Sequence, residues 1–377
     1  MKKNYILLFL FFVFVINNCF LYYYKDNTPY KEEINDLSFG YESKVKLNSI
    51  IETDEDVVLD TSSLGNKTYE NDKYIINYKV EDKTPPLILG GNVSVTVNKK
   101  VNLVNKFLCG DNLDDTPNCY IEGEYDFNTV GTYNLKYIAI DSNNNKSTKK
   151  FKLKVKPQSN NNSSTQPQKP KTKLSEYIKK YKTKNTSIGV DVSAWQDDID
   201  WAKAKKDGVE FAMIRIGFGH TSKGEIKEDN WYSNNIKKAK EQGIKVGLYF
   251  YSYASNEKEA RDQAKWIIKK LNKEKLDLPI AFDWEDWSDF NSYKVSFKTL
   301  SSIADAFIDE VNKGGYDGML YGSAYYLKNI WKSNQNTWLA YYTNNNDYSG
   351  KYSMWQLTSS GGVDGISGYV DINVLYK

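Results

Sequence analysis

Histidine and cysteine are scarce in this chain, and their scarcity excludes several kinds of catalytic site. The 377 residues include one histidine, His220, and three cysteines, Cys19, Cys109 and Cys119. A Ser-His-Asp or Cys-His centre would have to use that one histidine. Zinc sites built from several histidines or from four cysteines are excluded. We expect neither a metal nor an organic cofactor.

An excess of charge of one sign is also missing. The chain has 51 Lys and Arg residues against 48 Asp and Glu residues, so its formal net charge is +3. A nucleic-acid-binding protein usually carries a strongly basic face, so we expect no such partner. Acidic residues remain abundant, and aromatic residues make up 15% of the chain. Carboxyl groups are then the expected catalytic groups, and this composition favours carbohydrate chemistry.

The N-terminus has no small-residue cleavage site. Its positively charged start precedes an unbroken apolar run over residues 6–16, as in a secretory signal. Residues 5–24 are long enough to span a bilayer, so we favour an uncleaved signal-anchor within residues 1–25 over a cleaved signal peptide. The first alternative makes the membrane a partner. Both alternatives place the rest of the chain at the cell surface or outside the cell.

Two of the three cysteines lie close together in a turn-rich segment. Cys109 and Cys119 are ten residues apart. In an oxidising compartment these two cysteines are candidates for a disulfide bond. Two free thiols are the alternative, because the sequence does not supply the geometry.

Short alternating strands fill the segment that follows the apolar run. Period-2 alternation broken by turn residues is typical of antiparallel β-sandwich modules. We predict a connector over residues 26–37 and two all-β modules over residues 38–82 and 83–156. Both resemble bacterial immunoglobulin-like modules. That resemblance implies a spacer role, and direct binding to a cell wall is the alternative.

A linker and a different kind of domain complete the chain. Residues 157–172 hold no apolar residue that would enter a core, so we predict a flexible linker over residues 157–185. Over residues 186–377, five strands each precede a helix, and three more strands follow almost directly. This pattern predicts a modified α/β (TIM-like) barrel, (β/α)5(β)3, with an incomplete ring of helices. The predicted strands are Ile188–Ser193, Phe211–Gly217, Lys245–Tyr251, Pro279–Glu285, Gly318–Gly322, Thr337–Tyr341, Ser353–Leu357 and Val370–Leu375.

Four carboxyl groups are predicted to meet at the mouth of this barrel. Alternation along the fourth strand turns Asp283 and Glu285 to the interior. Asp191 on the first strand and Asp371 on the last face the same way, and those two strands are neighbours in a closed barrel. Active sites of such barrels lie where the parallel strands end. Like charges held together raise a pKa, so one residue type can supply both an acid and a base.

Other residues near the strand ends are candidates for substrate contacts. Arg215 faces inward and would pair with Asp191 or contact a substrate carboxylate. The tyrosines and the tryptophan would stack on sugar faces, and packing in the deep core is the alternative for the tyrosines of the third strand. His220 lies in a glycine-rich loop, where a surface role is expected. The candidate binding residues are Arg215, Tyr251, Tyr253, Tyr341, Trp355 and Asn373.

Several motifs of the C-terminal domain resemble glycoside hydrolase family 25. They occur in order over residues 188–376 and so cover essentially the whole domain. The resemblance implies N-acetylmuramidase activity on peptidoglycan by a monomeric, cofactor-free barrel. The motifs are Asp191-Val192-Ser193 with Gln196, Phe211-Ala212-Met213-Ile214-Arg215, Gly243-Ile244-Lys245-Val246-Gly247-Leu248-Tyr249, Asp283-Trp284-Glu285, Met354-Trp355-Gln356 and Val370-Asp371-Ile372-Asn373.

The resemblance also implies roles for the four acidic residues. Glu285 matches the general acid that protonates the leaving oxygen. Asp283 would stabilise positive charge on the sugar or, alternatively, orient the acetamido group of the substrate as that group attacks. Asp191 and Asp371 would hold substrate and help to keep Glu285 protonated. The alternative functions are a non-catalytic glycan-binding surface protein, an adhesin that works through its β modules, and a chitinase-like hydrolase.

Overall fold

The computed structural model describes residues 30–158, 172–219 and 225–377. The chain divides into two compact units, one ending at Thr84 and the other beginning at Pro85. Within the described ranges, no helix is long and apolar enough to cross a membrane. The predicted anchor at residues 5–24 lies outside those ranges, as does His220.

The first unit is a small all-β fold around one sheet. Its strands are β1 (Glu32–Gly40), β2 (Gly65–Glu70) and β3 (Tyr74–Glu81). β3 lies in the centre, with β1 parallel to it and β2 antiparallel. Ile76 and Val80 of β3 are buried in the core of the unit. β1 begins inside the predicted connector of residues 26–37, because Ile34 and Leu37 pack against this core.

The second unit begins with another all-β module. Its strands are β4 (Leu87–Leu89), β5 (Val93–Thr96), β6 (Leu108–Gly110), β7 (Asn118–Glu122), β8 (Gly131–Ile140) and β9 (Lys146–Lys156). They form a sheet in the order β5-β9-β8-β7 and a separate pair of β4 with β6. The rings of Tyr137 and Phe151 both contact that of Phe107 in the module core. A disulfide bond joins Cys109 to Cys119, whose Cα atoms are 6.6 Å apart.

A barrel of strands surrounded by helices forms the rest of the second unit. Its strands are β10 (Thr172–Lys173), β11 (Thr186–Val192), β12 (Phe211–Gly219), β13 (Ile226–Glu228), β14 (Lys245–Tyr251), β15 (Ile280–Asp283), β16 (Gly318–Ser323), β17 (Thr337–Ala340), β18 (Met354–Gly362) and β19 (Val370–Tyr376). Its helices are α1 (Leu174–Tyr181), α2 (Trp201–Asp207), α3 (Tyr232–Glu241), α4 (Glu257–Leu271), α5 (Phe290–Tyr293), α6 (Phe297–Lys313) and α7 (Ala324–Asn329).

Eight of these strands close the barrel. Their order is β11-β12-β14-β15-β16-β17-β18-β19, and β19 pairs with both β18 and β11. β19 runs antiparallel to its two neighbours, whereas the other strands run parallel to one another. Helices follow the first five barrel strands, and β17, β18 and β19 follow one another without a helix. The predicted barrel with an incomplete helical ring is confirmed.

The predicted linker is too long at its C-terminal end. β10 and α1 lie within residues 157–185 and pack on the barrel. Leu174 of α1 is fully buried, and Tyr177, Ile178 and Tyr181 pack against the same core. Their spacing of three and four residues forms an apolar stripe along one helix face. The many lysines around this stripe obscured it in the sequence.

The β module of the second unit packs directly on the barrel. Leu108 of β6 belongs to the core that surrounds the barrel. The side chain of Asn291 donates a hydrogen bond to the carbonyl of Phe107 at 3.0 Å and accepts one from the amide of Cys109 at 2.9 Å. These two bonds join the module to α5, a short helix that follows β15. The predicted linker at residues 157–185 therefore connects two domains that are in contact.

The N-terminus of α6 is capped by this module. The amides of Phe297 and Lys298 donate to the carbonyls of Asp111 at 2.8 Å and Asn112 at 3.1 Å. The first amides of a helix have no partner within the helix, so bonds from elsewhere are needed. Here a loop of the β module provides them, and the loop lies inside the segment closed by the disulfide bond.

Candidate active site

The strand β15 places two carboxyl groups at the barrel mouth. Ile280 and Phe282 belong to the core outside the barrel, whereas Ala281 belongs to the cluster inside it. Asp283 is the last residue of β15 and is buried. Glu285 comes two residues later and remains exposed at the rim. The strand thus ends two residues earlier than predicted, and Glu285 lies on the loop that follows it.

The residue between these two carboxyl groups anchors that loop. The ring of Trp284 is buried outside the barrel, and its Nε1–H donates to the carbonyl of Ala254 at 3.2 Å. Its edge contacts the rings of Trp287 and Tyr293. A buried tryptophan with its N–H bonded allows few alternative conformations. Trp284 therefore limits the positions that Glu285 can take.

Asp191 and Asp371 lie side by side at the same mouth, as predicted. They are partners in the antiparallel register of β11 and β19. Oδ2 of Asp191 accepts hydrogen bonds from Nδ2 of Asn373 at 2.7 Å and from Nε2 of Gln356 at 2.9 Å. Burial raises the pKa of Asp191 to about 6, and these two amide donors oppose the increase. Asp191 is therefore mostly ionised at neutral pH.

The other three carboxyl groups hold their protons more firmly. Burial, followed by the charge of Asp191, raises the pKa of Asp371 to about 9. Reduced contact with water at the mouth, followed by the charge of Asp191, raises the pKa of Glu285 to about 7. Burial and then the charge of Glu285 raise the pKa of Asp283 well above its usual range. The cluster thus combines an ionised carboxylate with an acid poised near neutral pH.

One oxygen of Asp283 has no hydrogen-bond donor in the described part of the chain. Its Oδ1 is buried and lacks a partner among the described residues. A buried carboxyl oxygen without a partner loses its hydration and gains nothing in return, so such atoms are rare and often functional. Asp283 can accept a hydrogen bond from a molecule that enters the mouth.

Arg215 pairs with Asp229 rather than with Asp191. Nε of Arg215 donates to Oδ2 of Asp229 at 2.7 Å, and Asp229 is almost fully buried. The same carboxylate accepts the amides of Ala194 at 3.0 Å and Trp231 at 2.9 Å. The positive charge of Arg215 still opposes the increase in the pKa of nearby Asp283. The sequence offered no signal for Asp229, which directly follows the short strand β13.

Two of the candidate tyrosines lie at the mouth. The rings of Tyr251 and Tyr253 meet edge to face, with centroids 5.1 Å apart. Burial raises the pKa of both, and the charge of Asp283 adds to the increase for each. Both side chains are half-buried, so each keeps a surface that a ligand can contact.

Tyr341 and Trp355 point away from the mouth. Trp355 is buried in the outer core, where its Nε1–H donates to the carbonyl of Tyr341 at 2.8 Å. The hydroxyl of Tyr341 donates to Asp347 at 2.9 Å. The predicted stacking role is wrong for both, because alternation along β17 and β18 turns their neighbours inward instead. Trp338 and Met354 accordingly line the interior.

Three side chains near the mouth of the barrel were not predicted from the sequence as site residues: Tyr321, Tyr342 and Gln356. The hydroxyls of Tyr342 and Tyr321 donate to Oε1 of Gln356 at 2.8 Å and 3.0 Å. Gln356 in turn donates to Asp191. Two tyrosines therefore orient the amide that holds the ionised carboxylate. Strict alternation from Trp338 would have identified Tyr342 as an inward residue.

Asn373 is a support for Asp191 and has no surface for a ligand. Its side chain is fully buried, and its Oδ1 accepts the Nε1–H of Trp338 at 2.8 Å. Its Nδ2 donates to Asp191. With both ends of the amide bonded, Asn373 fixes the carboxylate in place. The expectation that Asn373 contacts substrate is therefore corrected.

An α/β barrel with several carboxyl groups at its mouth, one of them with a pKa raised to near neutral pH, is an arrangement that suits a glycoside hydrolase. Comparison with family models agrees, because residues 190–366 match the glycosyl hydrolases family 25. The chain is 30% identical over 195 residues to the uncharacterized protein YegX of Escherichia coli K12, covering 50% of this chain and 69% of YegX. The chain belongs to glycosyl hydrolases family 25.

Two further similarities involve cell-wall enzymes. The autolytic lysozyme of Clostridium acetobutylicum is 26% identical over 193 residues, which cover 49% of this chain and 54% of the lysozyme. The modular autolysin LytC from Streptococcus pneumoniae, solved with a synthetic peptidoglycan ligand, is 26% identical with a TM-score of 0.47. That similarity covers 64% of this chain and 56% of LytC. The chain thus spans little more than half the length of either enzyme.

Proposed function

We propose that this protein is a peptidoglycan hydrolase that cleaves the β-1,4 bond between N-acetylmuramic acid and N-acetylglucosamine. The family match and the similarity to an autolytic lysozyme support this class of substrate. The mouth of the barrel supports the chemistry, because its acidic groups differ in how firmly they hold their protons. We assign the two main catalytic roles to exposed Glu285 and to buried Asp283.

Glu285 is the proposed general acid. A glycosidic oxygen is a poor leaving group until it receives a proton, and a carboxylic acid supplies that proton best when its pKa lies near the working pH. The pKa of Glu285 is raised to about 7. Glu285 is also exposed, so a glycan lying across the mouth can contact it. Asp191 supports this role by keeping a negative charge nearby.

Asp283 is the proposed partner of the acetamido group of the substrate. The observation that carries this role is its buried Oδ1, which has no donor among the described residues. An acetamido N–H bonded there would turn the acetamido oxygen toward the anomeric carbon. That oxygen displaces the leaving group, and water then opens the cyclic intermediate with net retention. Asp371, with its raised pKa, limits the total negative charge around this step.

The test is the release of reducing ends from purified peptidoglycan. We expect Glu285→Gln to lower kcat by about 10²- to 10⁴-fold, the usual contribution of a general acid. Mass spectrometry of the native enzyme's products should find muramic acid at the new reducing ends. Glu241→Gln is the matched control, since Glu241 is an exposed glutamate at the C-terminal end of α3 and does not belong to the group of acidic residues at the mouth.

Each alternative predicts a different result. Products that end in N-acetylglucosamine would contradict the bond assigned, and equal rates for native enzyme and Glu285→Gln would contradict the acid. Binding without cleavage by the native protein would favour a non-catalytic glycan-binding protein. Rapid cleavage of glycan whose muramic acid lacks the acetyl group would contradict the role of Asp283.

We also propose that the enzyme acts at the cell surface or outside the cell. The Cys109–Cys119 disulfide supports this location, because such bonds persist in oxidising compartments. Anchoring through residues 5–24 stays a prediction from the sequence. The immunoglobulin-like nature of the β modules is likewise a proposal, supported in the second unit by two separate sheets around one core.

A further inference from the structure

One aromatic side chain in the barrel is left almost entirely in solvent. Trp195, just after β11, is 84% exposed. Burying a side chain of this size would stabilise the fold, so its exposure gives up a large favourable contribution. Single exposed apolar residues are common on protein surfaces, and exposure is therefore only the first observation.

The backbone beneath Trp195 is held in place by several hydrogen bonds. The side chain of Ser193 accepts the amide of Trp195 at 3.2 Å, and the side chain of Gln196 accepts the amide of Ser193 at 2.9 Å. The amide of Ala194 donates to Asp229, whose carboxylate is itself fixed by Arg215. These bonds fix the backbone that carries the ring, which reduces the conformational freedom that ligand binding must remove.

The position of Trp195 is continuous with the proposed active site. It follows Asp191 by four residues at the end of a parallel barrel strand, which is the catalytic end of such barrels. β11 is three strands from β15 in the barrel order, so Trp195 lies across the mouth from the loop that carries Glu285.

Exposed aromatic rings of the barrel are concentrated at this end. In the described part of the barrel, four large apolar side chains are exposed. Trp195, Tyr325 and Tyr342 follow β11, β16 and β17 at the mouth, whereas Tyr376 lies at the opposite end of β19. Three exposed rings therefore lie where a ligand bound at the mouth can contact them.

We propose that Trp195 is a stacking platform for a sugar ring of the glycan strand, at a position beyond the two sugars joined by the scissile bond. The proposal rests on the proposed function. Flat indole faces suit the apolar faces of pyranose rings, and stacking needs little loss of side-chain freedom when the backbone is already fixed. A β-1,4-linked strand is extended, so a strand bound at Glu285 continues across the mouth toward Trp195.

The test uses the full chain with Glu285→Gln, so that glycan binds without being cleaved. Purified peptidoglycan oligosaccharides of increasing length are titrated into this protein with and without Trp195→Ala. We expect affinity for the long oligosaccharides to fall about two- to twelvefold, as for the loss of one aromatic stacking contact. Affinity for the shortest oligosaccharide that spans the scissile bond should be unchanged. Trp195→Tyr should keep most of the affinity for long strands.

Tyr376→Ala is the matched control, because it removes an exposed ring at the other end of the same barrel. Tryptophan fluorescence gives a second readout, since long oligosaccharides should change the emission of the Glu285→Gln protein and this change should shrink with Trp195→Phe. Equal affinities and equal emission changes with and without Trp195 would overturn the inference. So would an equal loss for every oligosaccharide length, which would place Trp195 at the scissile bond.

Failure of the proposed function has a different outcome. If the native enzyme releases no reducing ends and the Glu285→Gln protein binds no oligosaccharide, both proposals fall. If cleavage and binding are normal but insensitive to Trp195, only this inference falls. Trp195 then belongs to another interface, and the peptidoglycan hydrolase assignment stands.

Discussion

A single ionised carboxylate, Asp191, adds to the raised pKa values of its neighbours. Its charge raises the pKa of Glu285 and of Asp371, although reduced contact with water is the larger cause for both. Two amide donors, from Gln356 and Asn373, offset part of the cost of keeping that charge inside the barrel. In the proposed mechanism, the acid function of Glu285 therefore depends in part on the two amide side chains that hold Asp191.

Replacing Asp191 should change the pH dependence of the enzyme. In the proposed mechanism the protonated form of Glu285 is the active one, so kcat/KM should fall above about pH 7, roughly tenfold per pH unit. Asp191→Asn removes a negative charge that favours this protonated form. The alkaline limit of activity should therefore move to lower pH, by less than the full shift of Glu285 because burial remains. A pH profile of kcat/KM measures this.

In the Asp191→Asn variant, the side-chain oxygen can still accept the hydrogen bonds from Gln356 and Asn373, so the geometry of the mouth should be kept. Asp309→Asn, at an exposed position of α6, is the control and should leave the profile unchanged. An alkaline limit that stays in place or moves to higher pH in Asp191→Asn would contradict the electrostatic role.

At the scale of elements, the disulfide-closed loop of the β module acts as a cap for a helix of the barrel. The carbonyls of Asp111 and Asn112 accept the first amides of α6. The carboxylate of Asp115 accepts the amide of Ser296 at 2.6 Å and the hydroxyl of Thr299 at 3.0 Å. An acidic side chain also suits the positive end of a helix. The loop therefore stabilises a helix more than 180 residues further along the chain.

Removing the disulfide should weaken this cap. We expect Cys109→Ser with Cys119→Ser to lower the free energy of unfolding of the second unit by about 2–4 kcal/mol, the usual contribution of a disulfide bond. The cause is the greater freedom of the unfolded loop, together with a less ordered cap for α6. Calorimetry with and without a reductant measures the change.

Reductant should lower the Tm of the native protein and leave that of the double variant unchanged. The same response in both proteins would mean that another group is sensitive to the reductant. An unchanged Tm in the double variant would show that the loop keeps its shape without the bond.

At the scale of the whole molecule, the catalytic barrel and the β module of residues 85–158 form one compact unit. Leu87 and Leu89 pack against the core that surrounds the barrel, and Leu108 is buried in it. The first unit has a separate core of its own. The module next to the barrel is therefore a structural part of the enzyme.

Two truncations should behave differently. A chain of residues 85–377 should keep the activity and thermal stability of the second unit. A chain of residues 172–377 should have a lower Tm, because it exposes apolar side chains such as Phe290 and Phe297 and leaves the first amides of α6 without partners. Calorimetry and reducing-end release measure both. An equal Tm for the two truncated chains would contradict the structural role of the module.

Much of the site follows from local patterns in the sequence. Alternation along single strands was enough to turn Asp191, Asp283 and Asp371 inward, and the order of strands and helices predicted the barrel that brings them together. Glu285 was also assigned to the mouth, although its strand ends at Asp283. Such features depend on a period of two residues and on neighbours along the chain, so they need no knowledge of distant contacts.

The tertiary structure decided the features that depend on pairing between distant residues. Arg215 binds Asp229 because a short β hairpin returns the chain to β12. Tyr342 donates to Gln356 because β17 pairs with β18. The sequence by itself determined the barrel and the acidic cluster, since both arise from short-range periodicity. Only the tertiary structure decided the pKa values of that cluster and the cap on α6. Both depend on burial or on hydrogen bonds between residues far apart in the chain.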